Sequence, residues 1–290
     1  MYDQLRTLTK KDLNQVVSFL SIQEQTCVAL MSRLIDQGQS CMPPAKFPYW
    51  VLKDEKTEIH GVIMISSAGL VLHCFSRDFL NRSHTEPLSL IPLKKLLASF
   101  SLYCIMGAQE GTELLQNLYE KETRCKREYE LLTYADSEYE KFRDKLSSLP
   151  IRRCSEKDAD SLFHLQKEYD RVEVIPDGDT LNETASRQNL LRLLKSQEIF
   201  AVVQSSCFCA KAGTNAQGLN WVQIGGVYTD ILWRNKGFAQ LLVSYIAHSF
   251  YLRGKNVTLF VRTDNESAKR AYQKAGFSFN SYYTIVYYYC

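Results

Sequence analysis

The sequence predicts an α/β protein built as two similar units in tandem, each an α+β mixed sheet flanked by helices. Three observations point there. Landmarks recur in the same order in the two halves, antiparallel strand patterns are followed by β-α-β-α alternation, and the second half carries a tight strand-to-helix turn.

Thr9-Lys10-Lys11-Asp12 opens the first half, followed by apolar residues at Leu13, Val16, Val17 and Leu20. The spacing places those four on one helix face, and a hydroxyl three residues before an acid can satisfy free N–H groups at a helix start. Ser155-Glu156-Lys157-Asp158 repeats the device ahead of Ala159, Leu162, Phe163 and Leu165. Residues 61–65 and 226–229 both read as central strands. Tyr119-Glu120-Lys121 and Tyr272-Gln273-Lys274 each close a helical stretch, and tyrosine-rich strands follow at 129–134 and 282–289. The charged run 137–148 and the breaker Ser147-Ser148-Leu149-Pro150 mark the boundary between domains at 1–140 and 150–290. Beyond it the patterns predict strand 151–154, helices 156–171 and 182–196, strands 198–204, 207–212 and 221–229, helix 237–252, strand 256–262, helix 265–275 and a closing strand 283–289.

With 290 residues, 45% of them hydrophobic, the chain exceeds one ordinary domain. Its 35 basic residues against 32 acids give a net charge of +3, too little for a broad field toward nucleic acid or an anionic membrane. The apolar stretches 61–66 and 69–75 fall far short of the roughly 20 residues that cross a bilayer. Residues 1–11 lack the pattern of a secretory signal, so a cytoplasmic location is expected. Nine scattered cysteines (Cys27, Cys41, Cys74, Cys104, Cys125, Cys154, Cys207, Cys209 and Cys290) read as free thiols. Cys207 and Cys209 share a strand face, yet no second pair at zinc spacing accompanies them. His60, His73, His84, His164 and His248 show no metal-ligand spacing either, and no metal is expected. Gly254-Lys255-Asn256 lacks the rest of a P-loop, and the tyrosines at 282, 283, 287, 288 and 289 read as strand and interdomain packing.

The most informative segment runs from Ile224 through Gly225-Gly226-Val227-Tyr228-Thr229-Asp230 to Arg234-Asn235-Lys236-Gly237-Phe238-Ala239. A strand ends in a turn and a strong helix pattern begins at once, with Phe238, Leu241, Leu242, Tyr245 and Ile246 on one face. A helix starting there leaves backbone N–H groups unpaired at its positive dipole end, a ready anion site. Gly237 and Ala239 allow close approach, and Arg234 and Lys236 add mobile positive charge. A bound pyrophosphate is the physical expectation. Further on, Asn265-Glu266-Ser267-Ala268 opens a helix that brings Tyr272 back to the same face two turns later and ends at Gly276-Phe277.

Arg234-x-x-Gly237-x-Ala239 resembles the cofactor signature of the GCN5-related N-acetyltransferase (GNAT) superfamily, and Asn265 to Phe277 resembles its second signature. The resemblance covers roughly residues 151–290 and extends more loosely to bacterial tandem GNAT proteins with one degenerate copy. No Arg-x-x-Gly-x-Gly/Ala follows residues 69–75 before Lys94, so the first half is expected to bind no acyl-CoA and to serve packing or shape the acceptor cleft. The resemblance implies acetyl-CoA, or another acyl-CoA, as cosubstrate. The cosubstrate would be held by Val227, Tyr228, Thr229, Arg234, Asn235, Lys236, Gly237, Phe238, Ala239, Gln240 and Asn265. It further implies Tyr272 as general acid, Glu173 or ordered water as general base, and transfer to an amine of a small molecule or peptide, while Tyr272 also reads as a core aromatic and Glu173 as a surface salt-bridge residue. Gly225-Gly226 reads either as a bulge opening the strand edge or as close strand packing, and Asp230 as fixing the turn. A non-catalytic acyl-CoA sensor is the alternative. Nucleic-acid binding through Arg234, Lys236 and Lys269-Arg270 is the weakest reading.

Overall fold

The computed structural model describes residues 4–35, 48–135, 151–175 and 178–289. The breaker before Pro150, together with Cys41 and Cys290, lies outside them. The chain forms two compact units, one of Met1–Leu131, Gln217–Asn220 and Ser281–Cys290, the other of Leu132–Ala216 and Trp221–Asn280.

The first unit contains β1 (Gln4–Thr7), α1 (Leu13–Ser21), α2 (Glu24–Leu34), β2 (Tyr49–Lys53), β3 (Ile59–Ile65), β4 (Leu70–Phe75), α3 (Arg77–Ser83), α4 (Ile91–Ala98), β5 (Cys104–Ala108), α5 (Gln109–Tyr119) and most of β6 (Thr123–Tyr134). Strands β1 to β4 pair antiparallel in sequence order, and β5 joins β4 in parallel. Asp12 reaches back to the Thr9 N–H at 3.1 Å, as the opening motif predicts. Successive residues of β3 point to opposite faces: Val62 and Met64 pack with Val16, Leu20 and Met31, while Ile63 and Ile65 pack with Phe79, Leu93 and Leu115. A strand covered on both faces reads as a continuous apolar run, which is how residues 61–65 look in the sequence.

The second unit contains β7 (Ile151–Arg153), α6 (Ala159–Tyr169), α7 (Glu183–Ser196), β8 (Ile199–Gln204), β9 (Cys207–Gln217), β10 (Trp221–Thr229), α8 (Phe238–Tyr251), β11 (Asn256–Arg262), α9 (Glu266–Lys274) and the start of β12 (Phe277–Tyr288). Its sheet runs β11-β10-β9-β8-β7, with β10 and β11 parallel. Ser155 and Asp158 repeat the opening device, the carboxylate accepting from the Ser155 N–H at 2.8 Å. One face of the sheet carries α8 through Leu242, Val243, Ile246 and Phe250, and the other carries α6 and α7 through Leu162, Leu165 and Leu190.

Three boundaries depart from the sequence reading. The helix expected over 156–171 begins as a 3-10 turn and widens at its end into a π turn, Asp170–Val174, closed by the Ile175 N–H on the Asp170 carbonyl at 2.9 Å. Strand β9 continues to Gln217, five residues past the expected end, because small and polar residues such as Gly213, Thr214 and Asn215 carry no alternation signal although Gly213 still pairs with Ile199. Strand β12 starts at Phe277 instead of 283, and its far end, in the first unit, pairs antiparallel with β5 from Tyr283 to Tyr287. There Tyr283 and Tyr288 are buried, Tyr288 edge-on to Tyr119, while Tyr282 and Tyr289 face solvent.

Candidate functional site

Strands β10 and β11 pair from Trp221–Asn256 to Ile224–Leu259 and no further. Beyond Ile224 comes Gly225, packed so tightly against Asn215 that a methyl group would lie 2.3 Å from its amide nitrogen, and then Gly226 at φ +62°. That left-handed residue ends the regular ladder, since other side chains rarely adopt it. Val227, Tyr228 and Thr229 continue the strand half-buried with their β11-side edge released. Val227 packs toward the α8 core and Tyr228 toward the α6–α7 core, and the buried Thr229 hydroxyl has no hydrogen-bond partner among the described residues.

Asp230 then fixes the turn, its carboxylate accepting from the Leu232 N–H at 2.9 Å, which matches its expected structural role. Arg234 folds back, donating to the Thr229 carbonyl at 3.3 Å and lying over the Tyr228 ring, while Lys236 sits 4.3 Å from the Trp233 ring centre. Both are exposed. Asn235 and Gly237 take positive φ, +62° and +78°, and Gly237 is the N-cap of α8. With no side chain there, the first-turn N–H groups of Phe238, Ala239 and Gln240 receive no side-chain cap, and nothing lies within 4 Å of where a Gly237 methyl would project. Phe238 turns its ring into the core, so it offers only its backbone. Gln240 spends its side-chain amide on the Lys274 carbonyl at 3.3 Å. Asn265 caps α9 by accepting from the Ala268 N–H at 3.1 Å.

Tyr272, on α9, is buried in the α8 core cluster. Burial raises its pKa above the usual phenol value, and electrostatic interaction with Glu173 and Tyr169 raises it further. Glu173 and Tyr272, distant in sequence, thus lie within electrostatic reach of each other, Glu173 carried by the π turn.

Sequence reading missed the polar cluster behind them. Lys211, on β9 and 3% exposed, donates to the Gly226 carbonyl at 2.9 Å and sits 4.6 Å from the Tyr169 ring centre. Desolvation lowers its pKa to about 8, against the opposing pull of Asp170. Asp170 is itself buried, accepting from Gln166 at 2.8 Å and from the Ser186 hydroxyl. The only sequence signal was a lysine inside an otherwise apolar and small run, Cys207 to Gly213.

The corresponding place in the first unit is built differently. Pairing of β4 with β5 stops at Leu72–Met106, and the next residue, His73, fills the gap: a methyl group on Gly107 or Gly111 would lie 2.3 or 2.6 Å from its ring. His73 is buried, bonded to Thr112 at 2.9 Å, and desolvation lowers its pKa to about 3. The helix that follows, α3, is capped by Ser76, which accepts from the Phe79 N–H at 3.2 Å. Elsewhere in this unit Asp54, Glu58 and His60 bring possible ligand atoms within 4.8 Å, a cluster that spacing did not reveal; His60 is held there between Ser76 and Asp54.

The β10–β11 ladder ends ahead of Gly226 at φ +62° and a glycine-started helix follows, and the fold around them is the GNAT fold, here in its tandem two-domain form. The family profile described as FR47-like protein matches residues 216–285. A solved Drosophila protein superposes with a TM-score of 0.66 at 11% identity, covering 98% of each chain. A GNAT-family acetyltransferase from Colwellia psychrerythraea gives 0.56 at 11% identity, covering 99% of this chain and 100% of its own. A tandem GNAT protein from the clavulanic acid biosynthesis pathway gives 0.56 at 10%, covering 98% and 97%. At these identities the likeness establishes the fold. No curated protein matches the sequence significantly. Among the described residues no helix is long and apolar enough to cross a membrane.

Proposed function

We propose that the second unit is an acetyl-CoA-dependent N-acetyltransferase that passes the acyl group to an amine by direct attack in a ternary complex. The observation that carries it is the released edge of β10 from Val227 to Thr229 leading to the uncapped start of α8 at Gly237. The edge offers backbone groups to an extended amide-bearing arm as an added strand would, and the unpaired N–H groups beyond it suit a diphosphate. Arg234 and Lys236, exposed beside the turn, supply countercharge. Asn235 sets the turn, Phe238, Ala239 and Gln240 contribute main-chain N–H groups, and Asn265 orients α9. The cosubstrate supplies the activated acyl carbon and a thiolate leaving group.

The chain's own groups move the protons. An ammonium acceptor must lose a proton before its nitrogen can attack, and Glu173, directly or through water, takes it. As the nitrogen–carbon bond forms, charge on the acyl oxygen meets a strand N–H near Tyr228. The carbon–sulfur bond then breaks, and Tyr272, which keeps its proton because burial raises its pKa, delivers it to the sulfur. The nitrogen sheds its second proton to the Tyr272 phenolate, so the products are an amide and a free thiol, and both groups are restored once Glu173 returns its proton to solvent.

Acyl-CoA binding without turnover is the competing reading, and a carboxylate within electrostatic reach of the Tyr272 phenol favours the enzyme, since binding alone needs neither. A thiol-release assay with acetyl-CoA across an amine library decides between them. Tyr272→Phe is expected to bind CoA unchanged and to lose about 10²- to 10⁴-fold in turnover. Wild-type protein that binds acetyl-CoA yet releases thiol no faster with any amine would leave the sensor reading standing.

A further inference from the structure

We propose that Lys211 is an electrostatic positioning residue of the transferase site: its buried ammonium, bonded to the Gly226 carbonyl, polarises the Gly226–Val227 peptide and strengthens the Val227 N–H as a donor to the thioester oxygen. The inference rests on the acetyltransferase reading above.

A lysine is rarely buried unless paired. Lys211 has no carboxylate within ion-pair distance among the described residues. Its neighbours are one carbonyl at 2.9 Å, on β10, and one aromatic face at 4.6 Å, Tyr169 on α6. Asp170, from the π turn, acts on it through space, with its oxygens engaged by Gln166 and Ser186. Cys154, just past β7, is the remaining titratable neighbour, and burial pushes its thiol up to about 12, so it stays neutral. An apolar side chain of the same length would fill this place without the desolvation penalty. The charge therefore works against the fold, and its one directed contact is with the peptide at which β10 leaves β11.

The Gly226 carbonyl and the Val227 N–H belong to one peptide group. A hydrogen bond to the oxygen draws electron density through the C–N bond and makes the N–H more acidic, an effect that grows where water is excluded. Gly226 is also the residue whose left-handed φ sets the direction of that peptide, so the same contact fixes its aim. Charge at an oxyanion donor is worth most when it is held in place before reaction.

The test uses the full chain and acetyl-CoA labelled with carbon-13 at its carbonyl, reading the infrared carbonyl band of the bound thioester from about pH 6 to about pH 9.5. In wild type the band should lie below that of free acetyl-CoA and move back toward it as the pH passes about 8, where Lys211 loses its charge. Lys211→Met should show a smaller displacement at every pH and no titration. Its kcat should fall about tenfold while KM for acetyl-CoA stays within about threefold. A wild-type band that is undisplaced, or fixed across the range, overturns the proposal, and this arm needs no variant to fold. A Met variant with the wild-type band and kcat overturns it as well. Calorimetry on the same samples separates the two levels: no heat of acetyl-CoA binding sinks the transferase reading itself, whereas tight binding with an unresponsive band sinks the role of Lys211 alone.

Discussion

Replacing Gly237 with alanine perturbs the turn in two separable ways. At φ +78° an alanine is forced into the left-handed region, which destabilises it by roughly 1–2 kcal/mol. The new methyl meets nothing within 4 Å, so no steric clash adds to this within the protein. A loss of that size lowers the melting temperature by about 2–8 °C in a domain of this scale. On the proposed reading the same methyl would crowd a diphosphate approaching the first-turn N–H groups of α8. Displacing one charge-assisted hydrogen bond removes about 1.5–3 kcal/mol, or roughly 10- to 150-fold in Kd for CoA and acetyl-CoA alike. Titration calorimetry with both ligands, alongside thermal melts, reads the two effects independently. Asn235→Gly, which relieves a left-handed non-glycine, should raise stability by up to about 1 kcal/mol and serves as the control for turn strain. Gly237→Ala protein that melts lower but binds CoA as wild type does would refute the assignment of this space to a ligand.

Glu173→Gln removes the charge that helps raise the pKa of Tyr272, and kcat/KM should fall about 10²-fold with CoA affinity unchanged; a kcat/KM within about twofold of wild type in steady-state assays would hand proton removal to water. Gly107→Ala drives a methyl into the His73 ring and should destabilise the first unit by about 1–3 kcal/mol, read as a lower denaturation midpoint, with acetyl-CoA affinity unaltered. Asp12 sits with Lys53 at 2.9 Å, and although burial opposes ionisation, hydrogen bonds from Thr9 and Lys53 hold its pKa down to about 2. A depressed carboxylate stabilises the fold above its unfolded pKa and loses that contribution as pH falls through the folded one. Asp12→Asn, which strands a buried ammonium, should therefore cost about 3–5 kcal/mol near neutrality, and the gap from wild type should close between about pH 4 and pH 2 in denaturant titrations.

What sequence alone reveals here follows the range of the forces involved. The capped starts at Thr9 and Ser155, the turn at Asp230 and the glycine start of α8 are local, set within a few residues, and each is present as its spacing implies. The end of β9 and the start of β12 depend on pairing with other strands, β8 beside the one and β6 beside the other, which no local pattern encodes. The site divides the same way. Val227 to Gln240 form a contiguous stretch legible as a motif, while Lys211 reaches Gly226 only because β9 lies beside β10, and Glu173 comes within electrostatic reach of Tyr272 from a π turn absent from any periodicity.

The two copies share a scaffold and differ at one physical choice, namely what occupies the gap where a parallel pair separates. In the first unit a neutral, buried histidine occupies it, pressed against Gly107 and Gly111, and a serine cap on α3 satisfies a helix-start N–H from within the chain. Each feature stabilises the unit on its own, the cap by about 1 kcal/mol. In the second unit the same two places hold Gly225-Gly226 and Gly237, which fill nothing and cap nothing. Helix-start N–H groups without a side-chain cap and an unpaired strand edge are unfavourable in isolation and become favourable when a ligand completes them. Stability forgone at both positions of one copy, and secured at both positions of the other, is the pattern expected if only the second unit's gap is completed from outside the chain.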